Sequence, residues 1–377
     1  MKVLTVVGAR PQFIKAAPVS RALRAMGSRE VLVHTGQHYD REMSEIFFEE
    51  MGIREPDINL EVGSGSHGWQ TGQIMVRLEK VLRAEKPDWV LVYGDTNSTL
   101  AGALVAAKLL MRVAHVEAGL RSFNRAMPEE INRIVADHLS SLLLCPSRVA
   151  VNNLAAEGIT EGVHQVGDVM YDALLEFREV ALRRSTILQK IEVEPKEYLL
   201  LTVHRAENTC DPERLKKILA ALAESSCPVI FPVHPRTMKA LLSAGFIERS
   251  NQSEEGVTGA RLVLDNLSLN HIRLIEPVGY LDMLMLAQHA RMILTDSGGL
   301  QKEAYWLSVP CVTLREETEW VETVEAGWNI LTGTDTERIL DALRSFKAPA
   351  GEDGARNLYG EPQAAERCVK LLGDLMR

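Results

Sequence analysis

Five cysteines in 377 residues, Cys145, Cys210, Cys227, Cys311 and Cys368, form no CxxC pair and follow no metal-ligand rhythm. Their odd number argues against a disulfide framework and fits a reducing compartment. No stretch approaches the roughly 18 apolar residues of a membrane span. The opening MKVLTVVGAR carries one lysine and too short an apolar run for a signal peptide, and it reads as a first strand. Nor is there an excess of positive charge: the formal net charge is −9, so no global basic field invites nucleic acid or an anionic membrane. Low-complexity tracts and internal repeats are also missing. These absences point to a soluble cytoplasmic protein without nucleic-acid or membrane partners, in which an anionic ligand must be met by local cations.

What is present is 46% hydrophobic residues in a chain too long for one ordinary domain. Short apolar strands alternate with amphipathic helices from end to end, the mark of parallel sheets covered on both faces. In the first half the strand candidates are Val3–Val7, Val31–His34, Trp89–Tyr93, Val113–Val116 and Leu142–Cys145. Helical patterns cover Gln12–Arg24, Thr99–Leu110 and Pro128–Ser141, with Pro128 suited to a first helical position. The pattern weakens over 166–195, with Gly167-Asp168 followed by a charged helix, Ala173–Arg184. It restarts with Tyr198–Val203, Val229–Val233, Arg273–Glu276, Met292–Thr295, Cys311–Leu314 and Asn329–Leu331. Asp211-Pro212-Glu213 makes a helix start before Arg214–Glu224. The expectation is an α/β protein of two doubly wound, Rossmann-like domains, residues 1–168 and 169–359, with ligands at the carboxyl ends of the strands in the crevice between them.

The segment Arg291–Glu303, RMILTDSGGLQKE, carries the most information. An apolar strand runs into Asp296-Ser297-Gly298-Gly299 and a helix begins at once, leaving backbone N–H groups at the positive end of a helix dipole. Such a turn suits a phosphate, and Glu303 one turn on can accept from a ribose diol. Other strand ends bear Gly8-Ala9-Arg10-Pro11 with Lys15, Gly94-Asp95-Thr96, Glu117-Ala118-Gly119-Leu120-Arg121, His204-Arg205 and His234-Pro235-Arg236. Arg10 and Lys15 can neutralise a phosphate. Asp95, Glu117 and Glu129 form an acidic group for proton exchange, with His204 a further acid/base or phosphate-contact candidate. The bland readings are a helix-dipole role for Glu129 and a salt bridge from Arg133 to Glu129 or Glu130.

Gly63-Ser64-Gly65-Ser66-His67-Gly68 satisfies G-x-G-x-x-G by letter, before a helix starting near Trp69. The preceding Ile58–Val62 alternates polar and apolar residues, unlike a central parallel strand, and two strand candidates come before it. A loop near the interdomain crevice is the better reading than a nicotinamide site.

These motifs, with His115-Val116-Glu117, Pro128-Glu129-Glu130, Asn132-Arg133 and Thr295 to Gly299 with Gln301 and Glu303, appear in an order that resembles the non-hydrolysing UDP-N-acetylglucosamine 2-epimerases over essentially the full chain. The resemblance implies two Rossmann-like domains of the glycogen phosphorylase and glycosyltransferase-B type, a C-terminal helix (360–377, about Gln363–Met376) packing back on the first domain, and a homodimer. It implies Asp95, Glu117 and Glu129 as catalytic carboxylates beside His204. It implies Arg10, Lys15, Arg133 and His234 as substrate contacts, Ser297, Gly298 and Gly299 as the pyrophosphate turn, Glu303 as the ribose contact, and Val278 and Met283 on the uridine side. No metal or redox cofactor is implied. The implied reaction interconverts UDP-N-acetylglucosamine and UDP-N-acetylmannosamine for surface polysaccharide precursors.

Two positions depart from the family pattern: Trp320 follows Thr318-Glu319 where most relatives have arginine, and Ala206 stands in His204-Arg205-Ala206-Glu207 for a second arginine. Gly8 to Phe13 and Glu319-Trp320-Val321-Glu322 are more like the branch acting on UDP-2,3-diacetamido-glucuronic acid, and Gln37-His38-Tyr39-Asp40 differs from relatives that bind an activating UDP-N-acetylglucosamine. That uronate epimerase, or a hydrolysing relative releasing UDP and N-acetylmannosamine, is the alternative.

Overall fold

The computed structural model describes residues 1–37, 54–249, 260–264, 267, 269–349 and 358–376. The Arg10 side chain and residues 38–40 of the Gln37–Asp40 segment lie outside the described residues. Two compact units form, Met1–Glu176 with Asn357–Arg377, and Phe177–Arg356.

The first unit alternates β1 (Lys2–Val7), α1 (Arg10–Ala25), β2 (Arg29–His34), β3 (Ile58–Asn59), α2 (His67–Glu85), β4 (Trp89–Tyr93), α3 (Asn97–Lys108), β5 (Val113–Val116), α4 (Pro128–Leu139), β6 (Leu142–Cys145), α5 (Arg148–Ala156) and β7 (Val163–Gln165). Among the described residues these strands make a seven-stranded sheet, order β3-β2-β1-β4-β5-β6-β7, parallel throughout. Strands β4, β5 and β6 are buried at every position, which their unbroken apolar runs require of strands covered on both faces. The one polar residue in those runs, His115, is 0% exposed.

The helix starts follow local chemistry. Pro128 opens α4 with Glu129 and Glu130 in its first turn. Thr96 caps α3 by accepting from the Thr99 N–H. Ile58–Val62 contributes only the two residues of β3, on the outer edge of the sheet, so the Gly63–Gly68 loop does not follow a central strand.

Helix α6 (Val169–Arg184) runs across the division at Glu176, and α7 (Ile187–Lys190) follows it. The second unit continues with β8 (Leu199–Thr202), α8 (Ala206–Thr209), α9 (Pro212–Ala223), β9 (Val229–Pro232), α10 (Pro235–Ser243), β10 (Ile247–Arg249), β11 (Ala260–Leu262), β12 (Ile272–Ile275), α11 (Tyr280–His289), β13 (Met292–Thr295), α12 (Gly298–Trp306), β14 (Cys311–Thr313), α13 (Val321–Glu325), β15 (Asn329–Leu331) and α14 (Thr336–Ser345). Its sheet runs β12-β9-β8-β13-β14-β15, also parallel. Strands β10 and β11 form a separate antiparallel pair.

The last helix, α15 (Ala364–Asp374), belongs to the first unit. The Asp172 carboxylate accepts from the Gln363 and Ala365 N–H groups at 2.7 and 2.8 Å, and the Trp89 indole donates to the Leu372 carbonyl. No helix among the described residues is long and apolar enough to cross a membrane.

Each sheet has one topological switch point, where successive strands depart to opposite sides: between β1 and β4 in the first, between β8 and β13 in the second. The chain leaves β1 and β4 through Gly8 and Gly94, and leaves β8 and β13 through Val203-His204 and Asp296. Ligands bind open α/β sheets outside the carboxyl ends at such points.

Candidate active site

In the first unit, the Gln12 side chain fastens the turn after β1 to the turn after β4. Its carbonyl accepts from the Gly8 and Ala9 N–H groups at 2.8 and 3.1 Å, and its amide donates to the Tyr93 carbonyl at 2.8 Å. One turn further along α1, Lys15 pairs with the Glu117 carboxylate. Gly94 sits between them at φ +59°, and a Cβ there would lie 3.2 Å from Glu117 Oε2 and 3.5 Å from Lys15 Nζ. Glu117 itself takes φ +70°, a conformation a glutamate adopts only when its surroundings impose it.

The next residue after Gly94 is Asp95, whose Oδ2 accepts from Arg133 Nη2 at 2.7 Å and Nε at 3.0 Å. Asn132 holds the Asp95 carbonyl at 2.8 Å. Among the described residues Asp95 Oδ1 takes no hydrogen bond, and the side chain keeps 32% of its exposure. The turns after two neighbouring strands therefore carry two carboxylates: Asp95 after β4 with an open oxygen, and Glu117 after β5 on a half-buried lysine.

Arg133 also donates from Nη1 to Glu130 Oε2 at 2.8 Å, and Glu130 accepts from the Ser122 and Phe123 N–H groups. Glu130 is 1% exposed, whereas Glu129 is half-buried and has no hydrogen bond or ion pair among the described residues. The bland reading of Arg133 is thus met by Glu130, at i and i+3, and the same guanidinium reaches Asp95.

In the second unit Asp296 is 0% exposed and collects the N–H groups of His204 and Arg205 at 3.0–3.1 Å, the Asn208 amide at 3.1 Å, and His204 Nδ1 at 3.1 Å. Burial pushes this carboxyl upward, but the His204 hydrogen bond and charge, with the Arg205 and Asn208 bonds, outweigh it and hold Asp296 below the ordinary range. Asp296 fixes His204 Nδ1 as a donor, which turns Nε2 outward on a side chain 40% exposed.

Ser297 caps α12 by accepting from Leu300 N–H, leaving the Gly298 and Gly299 N–H groups at the helix N-terminus outside the intrahelical ladder. A Cβ on Gly298 would stand 3.4 Å from the Trp320 indole nitrogen and 3.8 Å from both Arg205 Nη2 and Glu319 Oε2. A guanidinium therefore borders the turn. The ammonium of Lys302 lies 3.7 Å over the Trp320 ring, which fixes that indole against α12.

Glu303 is 6% exposed, and Tyr280 donates its hydroxyl to Oε1 at 2.9 Å. Burial raises the Glu303 carboxyl to about 7 against the lowering by Tyr280 and by the Lys302 charge. Val278 precedes Gly279, the N-cap of α11, and Met283 lies in the first turn of that helix, both half-buried. His234 caps α10, its Nδ1 accepting from the Arg236 N–H at 3.2 Å, with its ring centroid 6.0 Å from that of His204.

So Lys15, Asp95, Glu117 and Arg133 meet at the first switch point, and His204, His234, Ser297, Gly298, Gly299 and Glu303 gather around the second. Residue-by-residue reading did not single out Asp296, Tyr280 or His115 for a role. Asp296 and His115 had a signal, a polar residue inside or just beyond an otherwise apolar parallel strand. Tyr280 had none, because 23 residues separate it from Glu303.

The family model described as UDP-N-acetylglucosamine 2-epimerase matches residues 21–373. A Methanococcus maripaludis protein named UDP-N-acetylglucosamine 2-epimerase homolog is 51% identical, with 100% of each chain covered. A Pseudomonas aeruginosa protein named UDP-2,3-diacetamido-2,3-dideoxy-D-glucuronate 2-epimerase is 46% identical, again with 100% of each covered. Among solved structures, a Methanocaldococcus jannaschii UDP-GlcNAc 2-epimerase in complex with UDP-GlcNAc and UDP superposes with a TM-score of 0.88 at 44% identity, covering 99% of this chain and 100% of that one.

Proposed function

Because the chain belongs to the UDP-N-acetylglucosamine 2-epimerase family of isomerases, with two Rossmann-like units of the glycosyltransferase-B type, we propose that it interconverts UDP-N-acetylglucosamine and UDP-N-acetylmannosamine as a source of surface polysaccharide precursors. The observation that carries this reading is the pair of carboxylates at Gly94, Asp95 with an open oxygen and Glu117 beside a lysine. The proton on sugar C2 has no carbonyl beside it, so direct abstraction gives a poorly stabilised carbanion. Expelling UDP from C1 while a carboxylate removes the C2 proton gives a neutral glycal instead. UDP adds back to C1 after a proton reaches C2 from the opposite face.

Asp95 and Glu117 are assigned to the C2 proton, with Glu129 a further acid/base group. The Ser297-Gly298-Gly299 helix start and His204 stabilise the departing diphosphate, helped by Arg205. Arg10, Lys15, Arg133 and His234 contact the substrate, Glu303 accepts from the ribose diol, and Val278 and Met283 flank the uracil. No metal or redox cofactor is required by this chemistry. In the same reading the enzyme is a cytoplasmic homodimer, and light scattering on the purified protein tests the assembly.

Incubation with UDP-N-acetylglucosamine, followed by anion-exchange separation, is expected to give UDP-N-acetylmannosamine. Free N-acetylmannosamine with UDP as the end product would replace epimerisation by hydrolysis. A second reading, epimerisation of UDP-2,3-diacetamido-2,3-dideoxy-glucuronate, is favoured by Trp320 at the rim of the Gly298 turn, within the Glu319–Glu322 segment that resembles that branch. The same assay with the uronate decides between them.

A further outcome concerns pH. Ribose hydroxyls donate to a carboxylate, so binding favours ionised Glu303, which lies near 7 in the free protein. UDP affinity is therefore lost as pH falls through 7, by about tenfold between pH 8 and 6 for one such group. Calorimetry on wild type and Glu303→Gln separates this from titration of the nucleotide phosphate. An identical pH dependence in the two proteins removes Glu303 from the ribose.

A further inference from the structure

His115 lies in the middle of the catalytic half of the molecule, yet no step assigned above uses it. It is 0% exposed on β5, two residues before Glu117. Its Nδ1 meets Asp137 Oδ1 at 2.7 Å and its Nε2 meets the Gly94 carbonyl at 2.7 Å. A carbonyl oxygen can only accept. Asp137 is also an acceptor toward its other neighbours: Oδ2 takes Arg121 Nη1 at 2.7 Å and the Gly119 N–H at 3.2 Å. With an acceptor at each ring nitrogen, both nitrogens must donate. Arg121 in turn pairs at 2.7–2.8 Å with Glu157, which is exposed, so the network runs from a buried core to the surface, holds two cations and two carboxylates and carries no net charge.

From this geometry we propose that His115 donates from both ring nitrogens and thereby positions the two strand ends bearing Asp95 and Glu117. Through Nε2 it clamps the Gly94 carbonyl, immediately before Asp95, in a turn at φ +59°. Through Nδ1 and Asp137 it reaches Gly119 and Arg121 in the loop just after Glu117. A neutral ring donates from one nitrogen only, and would release either the Gly94 turn or the Glu117 loop. Other charged groups near these turns are Lys15, on Glu117, and Arg133, on Asp95. Burial alone would push Asp137 upward, but His115 and then Arg121 outweigh it and keep it ionised. Since Nε2 is taken up by a main-chain carbonyl, His115 is a positioning residue and not a proton shuttle to substrate.

The kinetic half of this inference rests on the proposed roles of Asp95 and Glu117; the protonation half does not. In wild-type protein with 15N-labelled histidine, the resonance assigned through its loss in His115→Gln is expected to show a proton on both ring nitrogens at pH 7.5. One protonated nitrogen overturns the proposal, whatever the activity of the variants and whether or not His115→Phe folds. In activity assays, His115→Phe is expected to lower kcat roughly 10- to 100-fold with UDP affinity kept. His115→Gln, which retains a donor for the Gly94 carbonyl, is expected to lose less. Unchanged kcat in a folded His115→Phe overturns the positioning role. A doubly protonated His115 together with a fully active Asp95→Asn overturns instead the reading of Asp95.

Discussion

Replacing Asp95 by Asn is expected to lower turnover by roughly 100-fold or more. The substitution is isosteric. An asparagine carbonyl can still accept from Arg133 Nη2 and Nε, which hold Oδ2 at 2.7 and 3.0 Å. The carbonyl that Asn132 grips is main chain and is untouched. What is lost is the open Oδ1, where the amide now presents donors and cannot take a proton. UDP affinity should stay close to wild type, because the nucleotide is assigned to the α12 start and Glu303. Steady-state rates and calorimetry with UDP test the two halves separately. Near-normal turnover would remove Asp95 from the proton transfer. A parallel loss of UDP affinity would make it a binding group instead.

The second large effect concerns stability. Gly119 follows Glu117-Ala118 at φ +83°, and a Cβ there would collide with the Ala150 carbonyl oxygen and stand 2.9 Å from its carbon. Both obstacles are backbone atoms at the start of α5, so no side chain can swing aside. Gly119→Ala must adopt a left-handed conformation and also displace a helix. The expected cost is about 3 kcal/mol or more. Denaturant unfolding followed by circular dichroism should show an earlier midpoint for the first transition. Gly68→Ala is the control, because an added Cβ there meets nothing within 4 Å. Equal midpoints for the two variants would show that the Glu117–Arg121 loop relaxes freely, contrary to its fastening by Asp137.

The elements that sequence reading locates best are those with one physical cause. Trp89–Tyr93, Val113–Val116, Leu142–Cys145, Met292–Thr295 and Asn329–Leu331 are observed at the expected bounds. Four of them are apolar runs covered on both faces, and the first three and Met292–Thr295 are buried throughout. Val163–Gln165 was not anticipated, because its edge position leaves it half-exposed and mixed in polarity. The Ile247–Arg249 and Ala260–Leu262 pair interrupts the parallel alternation that the rest of the chain obeys. Helix α8 spans four residues, too few to show a period.

For the site, the rule that chemistry gathers at strand carboxyl ends selected the loops after β1, β4, β5, β8 and β13. It could not choose partners. Glu129 and Glu130 are indistinguishable as letters, and only the phase of α4 turns Glu130 inward onto Arg133. The Tyr280–Glu303 bond joins two different helices and depends on their packing. Trp320 stood out as a departure from the family arginine, and its contact with Lys302 required coordinates.

The most direct measurement follows the hydrogen at C2. With UDP-N-acetylglucosamine in D2O, both epimers should acquire deuterium at C2 at a rate matching epimerisation, and Asp95→Asn should suppress the two together. Epimer formed with its original hydrogen at C2 would contradict removal of that proton by a carboxylate, and with it the departure of UDP from C1.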